Sequence, residues 1–279
     1  MKKVLAAVVQ MNSGEDKARN LKVAEGLIRL AVDRGAKFVV LPETFNGCGR
    51  LDVLAQEAEP VPGPTLKRMS ALAKKWKIHL LAGSILERGP VPGKAYNTSA
   101  LLDPSGRIVA TYRKMHLFEA EIAGHVGVRE PDVLVAGRDA AVASTAFGVV
   151  GLSICYDLRF PELYRTLAAR GGEIICVPSA FTMMTGKDHW EVLLRARAIE
   201  DQAYVIAPNQ CGAHPGGMTT YGHSMIVDPW GLIIASVSEG EGIAVAELDP
   251  AVLAVARKRV PALRSRRKDR FSFECRKSP

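Results

Sequence analysis

The chain has 279 residues, 48% of them apolar and 24% charged, which fits an ordinary globular protein with a large core and excludes disordered, collagen-like and low-complexity chains. The net charge of +8 is local: residues 257–279 carry ten Lys and Arg against Asp269 and Glu274, while the other 256 residues balance 27 basic against 27 acidic side chains. A basic tail on a neutral body argues against a nucleic-acid groove, and the longest uncharged run, residues 140–156, is shorter than the ~20 residues of a spanning helix.

Residues 4–11 follow Met1-Lys2-Lys3 and mimic the start of a signal peptide. Their apolar stretch stops at Gln10 without a small-residue cleavage pattern, so they read as a first buried strand of a cytoplasmic protein. Leu21, Ala24, Leu27, Ile28 and Ala31 repeat at helical spacing and predict a helix over 16–33, with Gly35 as its C-cap. Residues 38–41 form a second buried strand ending in Pro42-Glu43. A helix over 64–76 and a strand over 79–84 follow. Gly89-Pro90-Val91-Pro92-Gly93-Lys94-Ala95 is one residue short of a P-loop and lacks the Ser or Thr after Lys.

An internal repeat begins next. Tyr96-Asn97-Thr98-Ser99, Asp103-Pro104-Ser105-Gly106, Ile108 and Ala110 recur as Tyr221-Gly222-His223-Ser224, Asp228-Pro229-Trp230-Gly231, Ile233 and Ala235. Each copy reads as a hairpin whose D-P-x-G turn uses the fixed φ of Pro and the positive φ open to Gly. Leu41-Pro42-Glu43-Thr44-Phe45 and Val177-Pro178-Ser179-Ala180-Phe181 form a second echo. Two similar halves without a Ser/Gly linker predict one α/β domain over 1–279 with two layers packed sheet against sheet. In the second half, strands over 149–154 and 174–177 alternate with helices over 161–170 and 190–201.

The five cysteines form no C-x-x-C pair, and the irregular spacing of Cys211, His214 and His223 makes a poor metal site, so no metal is expected. Among them Cys155 alone sits at a strand-to-helix turn, where a side chain is exposed at the sheet's end and nearby N–H groups can meet an oxyanion. Cys176 and Cys211 read as core. A cysteine nucleophile needs a base and an oxyanion stabiliser. Glu43 and Lys114 each close a strand and are the candidates, while His116 leaves open a competing Cys–His pairing.

Leu41-Pro42-Glu43, Tyr112-Arg113-Lys114-Met115-His116-Leu117 and Cys155-Tyr156-Asp157-Leu158-Arg159-Phe160-Pro161-Glu162 resemble, in order and separation, the three signatures of the nitrilase (carbon–nitrogen hydrolase) superfamily. The resemblance extends through His189-Trp190-Glu191 and Tyr221-Gly222-His223-Ser224 and is greatest to the deaminated-glutathione amidase and omega-amidase branch. It implies a four-layer αββα sandwich, a Glu43–Lys114–Cys155 triad and a second glutamate at Glu130. With these residues and no cofactor, a small carboxamide would be hydrolysed to carboxylate and ammonia through a cysteine thioester, the Tyr156 N–H helping to hold the oxyanion. Arg159, four residues after the nucleophile, could clamp a substrate carboxylate through two hydrogen bonds or brace the turn by pairing with Asp157 or Glu162. Thr185 matches a family position that helps hold that carboxylate. Gly47 stands where several relatives carry a tyrosine touching the substrate. The family packs its C-terminal segment across a dimer interface, so residues 257–279, with Pro261, Leu263, Phe271 and Phe273 among the basic side chains, are expected there. The alternatives are another amidase or carbamoyl hydrolase of the superfamily, a Cys–His acyl hydrolase, and a nucleic-acid-binding module.

Overall fold

The computed structural model describes residues 1–119 and 129–267. Its strands are β1 (Val4–Gln10), β2 (Phe38–Val40), β3 (His79–Arg88), β4 (Ala95–Leu102), β5 (Ile108–Arg113), β6 (Ala141–Ser144), β7 (Val149–Leu152), β8 (Ile174–Cys176), β9 (Tyr204–Ala207), β10 (Cys211–Ala213), β11 (Thr219–Tyr221), β12 (Met225–Val227), β13 (Ile233–Ser236) and β14 (Gly242–Leu248). One sheet runs β14-β1-β2-β3-β4-β5 and the other β13-β12-β9-β8-β7-β6, with β10 and β11 forming a separate hairpin.

The two sheets share one plan. In each, two parallel pairings (β1-β2-β3 and β7-β8-β9) are followed by two antiparallel strands, and an antiparallel strand (β14 or β6) covers the other edge. The hairpins that follow, β4–β5 and β12–β13, are the two copies of the sequence repeat. Their turns are closed alike: Asp103 accepts from the Ser105 and Arg107 N–H groups, and Asp228 from those of Trp230 and Leu232. Gly106 and Gly231 supply φ of 84° and 88° at equivalent places.

Alternation along each strand sets the layers. In β1, Ala7 and Val9 face the helices Lys17–Asp33 and Pro64–Trp76, packing with Ala24, Ile28 and Met69. Ala6 and Val8 face the second sheet, in a core that includes Val150 and Leu152. Phe38 and Phe147 meet across the sheets with ring centres 5.1 Å apart. The helices Pro161–Ala169 and Glu191–Asp201 cover the far side of the second sheet through Leu163, Leu167 and Leu194. The result is the expected αββα sandwich. Strands buried on both faces read as unbroken apolar runs, which is why β1, β2, β7 and β8 were legible, although β9, equally buried, was not read.

The chain after the helix Pro250–Arg259 does not begin as a free tail. Gln202 Nε2 donates to the Ala256 and Val260 carbonyls, and its Oε1 accepts from Leu263 N–H. Pro261 and Leu263 thus lie against the chain's own body, beside Ala168 and Arg257. The expected apolar contribution of Phe271 and Phe273 falls outside the described residues.

Candidate active site

β7 ends at Leu152, and the chain continues through Ser153 and Ile154 into a tight turn over Cys155–Arg159 before Pro161 opens the next helix. Cys155 has φ of 46°, left-handed backbone that a residue with a Cβ adopts only when its surroundings impose it. The imposing group is Asp157. Fully buried, it accepts from Ile154 N–H (2.8 Å), His116 N–H (3.1 Å) and Tyr112 Oη (2.7 Å), and its Oδ1 lies 2.7 Å from His116 Nδ1. The His116 ring also stacks on Phe160 at 3.7 Å. The imidazole that a Cys–His pairing would need is therefore engaged in bracing the turn.

Glu43, Lys114, Glu130 and Cys155 converge at the carboxyl ends of the strands, the usual ligand side of such sheets. Glu43 follows β2 and Lys114 follows β5. Lys114 Nζ lies 3.0 Å from Glu43 Oε1 and 2.8 Å from Glu130 Oε1. Glu43 is fixed by two further donors, Asn97 Nδ2 on Oε1 (2.8 Å) and Ala180 N–H on Oε2 (2.7 Å). Glu130 in turn accepts from Phe118 N–H at 2.7 Å. The Cys155 thiol is within hydrogen-bonding reach of Glu43.

The charges reinforce one another. Burial, then the Glu43 carboxylate, push the Cys155 thiol well above its ordinary value, so the resting group is the thiol. Burial alone would lower Lys114, but the Glu130 and Glu43 carboxylates outweigh it and hold the ammonium well above the usual lysine range. Burial raises the Glu130 carboxyl against the pull of Lys114. The Cys155 N–H donates to Pro178 O (2.8 Å) and that of Asp157 to Ile154 O (3.0 Å), and between them the Tyr156 N–H has no protein acceptor among the described residues. A thiol beside an accepting carboxylate, with an ammonium and a spare N–H at hand, can attack an electrophilic carbon and bind the oxygen that becomes negative.

These groups open into a cavity of about 320 Å³. Arg159 and Thr185 line it. Arg159 forms no ion pair with Asp157 or Glu162. Its guanidinium lies over Phe181 and Tyr156, and Nη1 is 3.2 Å from His189 Nδ1. Thr185 Oγ1 is paired with Thr182 Oγ1 at 2.9 Å. Gly47 does not line the cavity, and a Cβ there would meet Leu54 at 3.0 Å. His214 of the discounted metal grouping is occupied by Ser13 O and Thr220 Oγ1.

Sequence reasoning missed Asn97, Ala180 and the Arg50–Asp52 pair (2.9 Å) at the cavity wall. Asn97 had one signal: it stands in the repeated hairpin where the second copy has Gly222. Cys48, also unassigned from sequence, lines the cavity too, its thiol pushed up to about 12 by burial.

Residues 5–258 match the family model described as carbon–nitrogen hydrolase. The deaminated glutathione amidase of Synechocystis sp. PCC 6803 is 44% identical over 273 residues, spanning 95% of this chain and 99% of its own. An omega-amidase of Danio rerio is 37% identical over 272 residues, 98% of each chain. The structure also superposes with TM-score 0.79 on a glutamate-to-glutamine mutant of the amidase of Nesterenkonia sp. AN1, at 26% identity over 95% of this chain and 94% of that one; that mutant shows covalent addition of the acetamide moiety of fluoroacetamide at its active-site cysteine. This chain belongs to the carbon–nitrogen hydrolase family and is an amidase of the nitrilase superfamily.

Proposed function

We propose that the protein hydrolyses a small carboxamide bearing a distal carboxylate, with Cys155 as nucleophile, Glu43 as general base and acid, and Lys114 with the Tyr156 N–H as oxyanion site. The observation that carries this reading is the Lys114 ammonium held between two carboxylates beside a buried thiol. Glu43 takes the thiol proton as sulfur attacks the amide carbon. The tetrahedral oxygen accepts from Lys114 Nζ and the Tyr156 N–H, and Glu43 passes the proton to the departing nitrogen. Water, deprotonated by Glu43, then attacks the thioester, and Glu43 returns that proton to the departing Cys155 sulfur as the product acid is released. Glu130 keeps Lys114 in place throughout.

Arg159, with Thr185 nearby, would receive the substrate's carboxylate while the amide faces Cys155. A deaminated-glutathione-like amide ranks first, because the relative of that name is similar over nearly the whole chain. A cavity of about 320 Å³ lies at the small end of the usual range for small-molecule sites, roughly 300–1,000 Å³. The substituted nitrogen of such an amide would depart as an amine. Ammonia is the product for the second class, ω-amides such as α-ketoglutaramate or succinamate, which the likeness to an omega-amidase favours. The reading takes residues 1–279 as one domain acting as a homodimer, with the segment from residue 257 at the interface. It places the enzyme in the cytoplasm, where a nucleophilic thiol stays reduced.

Cys155→Ala should lower amidase turnover on the order of a thousand-fold or more, and Glu43→Gln should do the same because an amide cannot shuttle the proton. A Cys155→Ala variant with wild-type turnover would sink the mechanism, and a His116→Ala variant as inactive as Cys155→Ala, beside an active Glu43→Gln, would favour the Cys–His alternative. Light scattering should give twice the chain mass at micromolar concentration, and a monomer would refute the dimer.

A further inference from the structure

Arg159 leans over two rings, its guanidinium carbon 5.2 Å from the centre of Phe181 and 5.9 Å from that of Tyr156. Ring faces hold a cation but do not fix its rotation, and two-point recognition of a carboxylate depends on the guanidinium plane. The directional contact is with His189, whose Nδ1 lies 3.2 Å from Arg159 Nη1. A guanidinium has only donors and stays charged at any accessible pH. The contact therefore requires a lone pair on Nδ1, which puts the imidazole hydrogen on Nε2. One N–H of Arg159 is spent on His189 and the other four remain for a ligand.

His189 does not line the cavity, so it acts on Arg159 from outside. The segment that carries it is anchored at both ends. Residues Gly186–Trp190 form a π-helical turn between Met183–Thr185 and the helix Glu191–Asp201, a rare geometry frequent at functional sites. At its start, a Cβ on Gly186 would lie 2.3 Å from Tyr221 Cβ, so glycine alone permits the approach. At its end, Trp190 is fully buried, donates to His223 O at 2.9 Å and packs on Phe181 with ring centres 5.1 Å apart. Phe181 thus supports both Arg159 and the residue that follows His189.

We propose that His189 is a positioning residue for Arg159, a neutral imidazole whose Nδ1 fixes the guanidinium plane and thereby sets the preference for carboxylated over neutral amides. The inference rests on Arg159 as the carboxylate-binding group. Its test compares kcat and KM of wild type, His189→Ala, His189→Gln and Arg159→Ala on succinamate and on butyramide. His189→Ala should raise KM for succinamate roughly ten-fold with a much smaller change in kcat, the size expected for losing a hydrogen bond to a charged group. The succinamate-to-butyramide ratio of kcat/KM should fall accordingly. His189→Gln should recover most of the ratio, because its Oε1 can accept from Arg159. If Arg159→Ala lowers the ratio and His189→Ala does not, the positioning role is wrong and the carboxylate site stands. If the ratio survives Arg159→Ala, the carboxylate site itself is wrong and the inference falls with it. A loss in His189→Ala that His189→Gln does not restore would also overturn it.

Discussion

Asp157 shows how one side chain can hold a reactive backbone. It accepts from Ile154, Tyr112 and His116, and those residues come from both sheets' strand ends, so the turn that lifts Cys155 into positive φ is tied to the neighbouring sheet. Removing the carboxylate leaves several buried donors without an acceptor. Asp157→Ala should cost about 3 kcal/mol of folding free energy, measured by urea unfolding, since each orphaned buried donor costs roughly 1–3 kcal/mol. A loss below ~0.5 kcal/mol would mean that water replaces the carboxylate. The sequence placed Asp157 beside the nucleophile but gave no hint of this role, because Tyr112 lies 45 residues away. Glu43, Lys114 and Cys155 were legible since each follows a recognisable apolar strand or hairpin. Asn97 and Ala180, which orient Glu43 from 54 and 137 residues away, were not.

The helix Glu191–Asp201 ends in a fully buried acid. Asp201 Oδ1 lies 3.0 Å from Arg165 Nη1, but neither carboxylate oxygen has a hydrogen-bond partner of good geometry among the described residues. Burial pushes its carboxyl up to about 7, against the pull of Arg165. An unfolded chain releases this proton near pH 4, so between pH 4 and 7 the folded state binds more protons and loses stability as pH rises. Wild-type Tm should therefore fall more between pH 5 and 8 than that of Asp201→Asn. Parallel pH profiles for the two proteins would show that Asp201 is not the group responsible. Most element ends differed from the sequence reading by a residue or two, as hydrogen bonding rather than hydropathy decides them, but β3, read over 79–84, runs on to Arg88. β6, β9, β10, β11 and β14 went unread. β14 pairs with β1 across the length of the chain, Val4 opposite Leu248, and no local pattern announces a partner so distant.

The repeated hairpin made the two-halved architecture readable from sequence, and the structure extends it to every strand of both sheets. Ala6 of β1 stands opposite Phe38, the first residue of β2, as Val150 of β7 stands opposite Ile174, the first residue of β8. Carried five residues onward, this register puts Met11 at the place in the first half that Cys155 occupies in the second. By the same comparison of β2 with β8, Ser179 occupies the place of Glu43. Each half thus presents a reactive group at a place where the other has none, and the two-halved frame houses a single complete centre. The stoichiometry follows: a rapid burst of released amine under acyl-enzyme accumulation should titrate to one equivalent per chain, and two equivalents would mean that both halves carry out the chemistry.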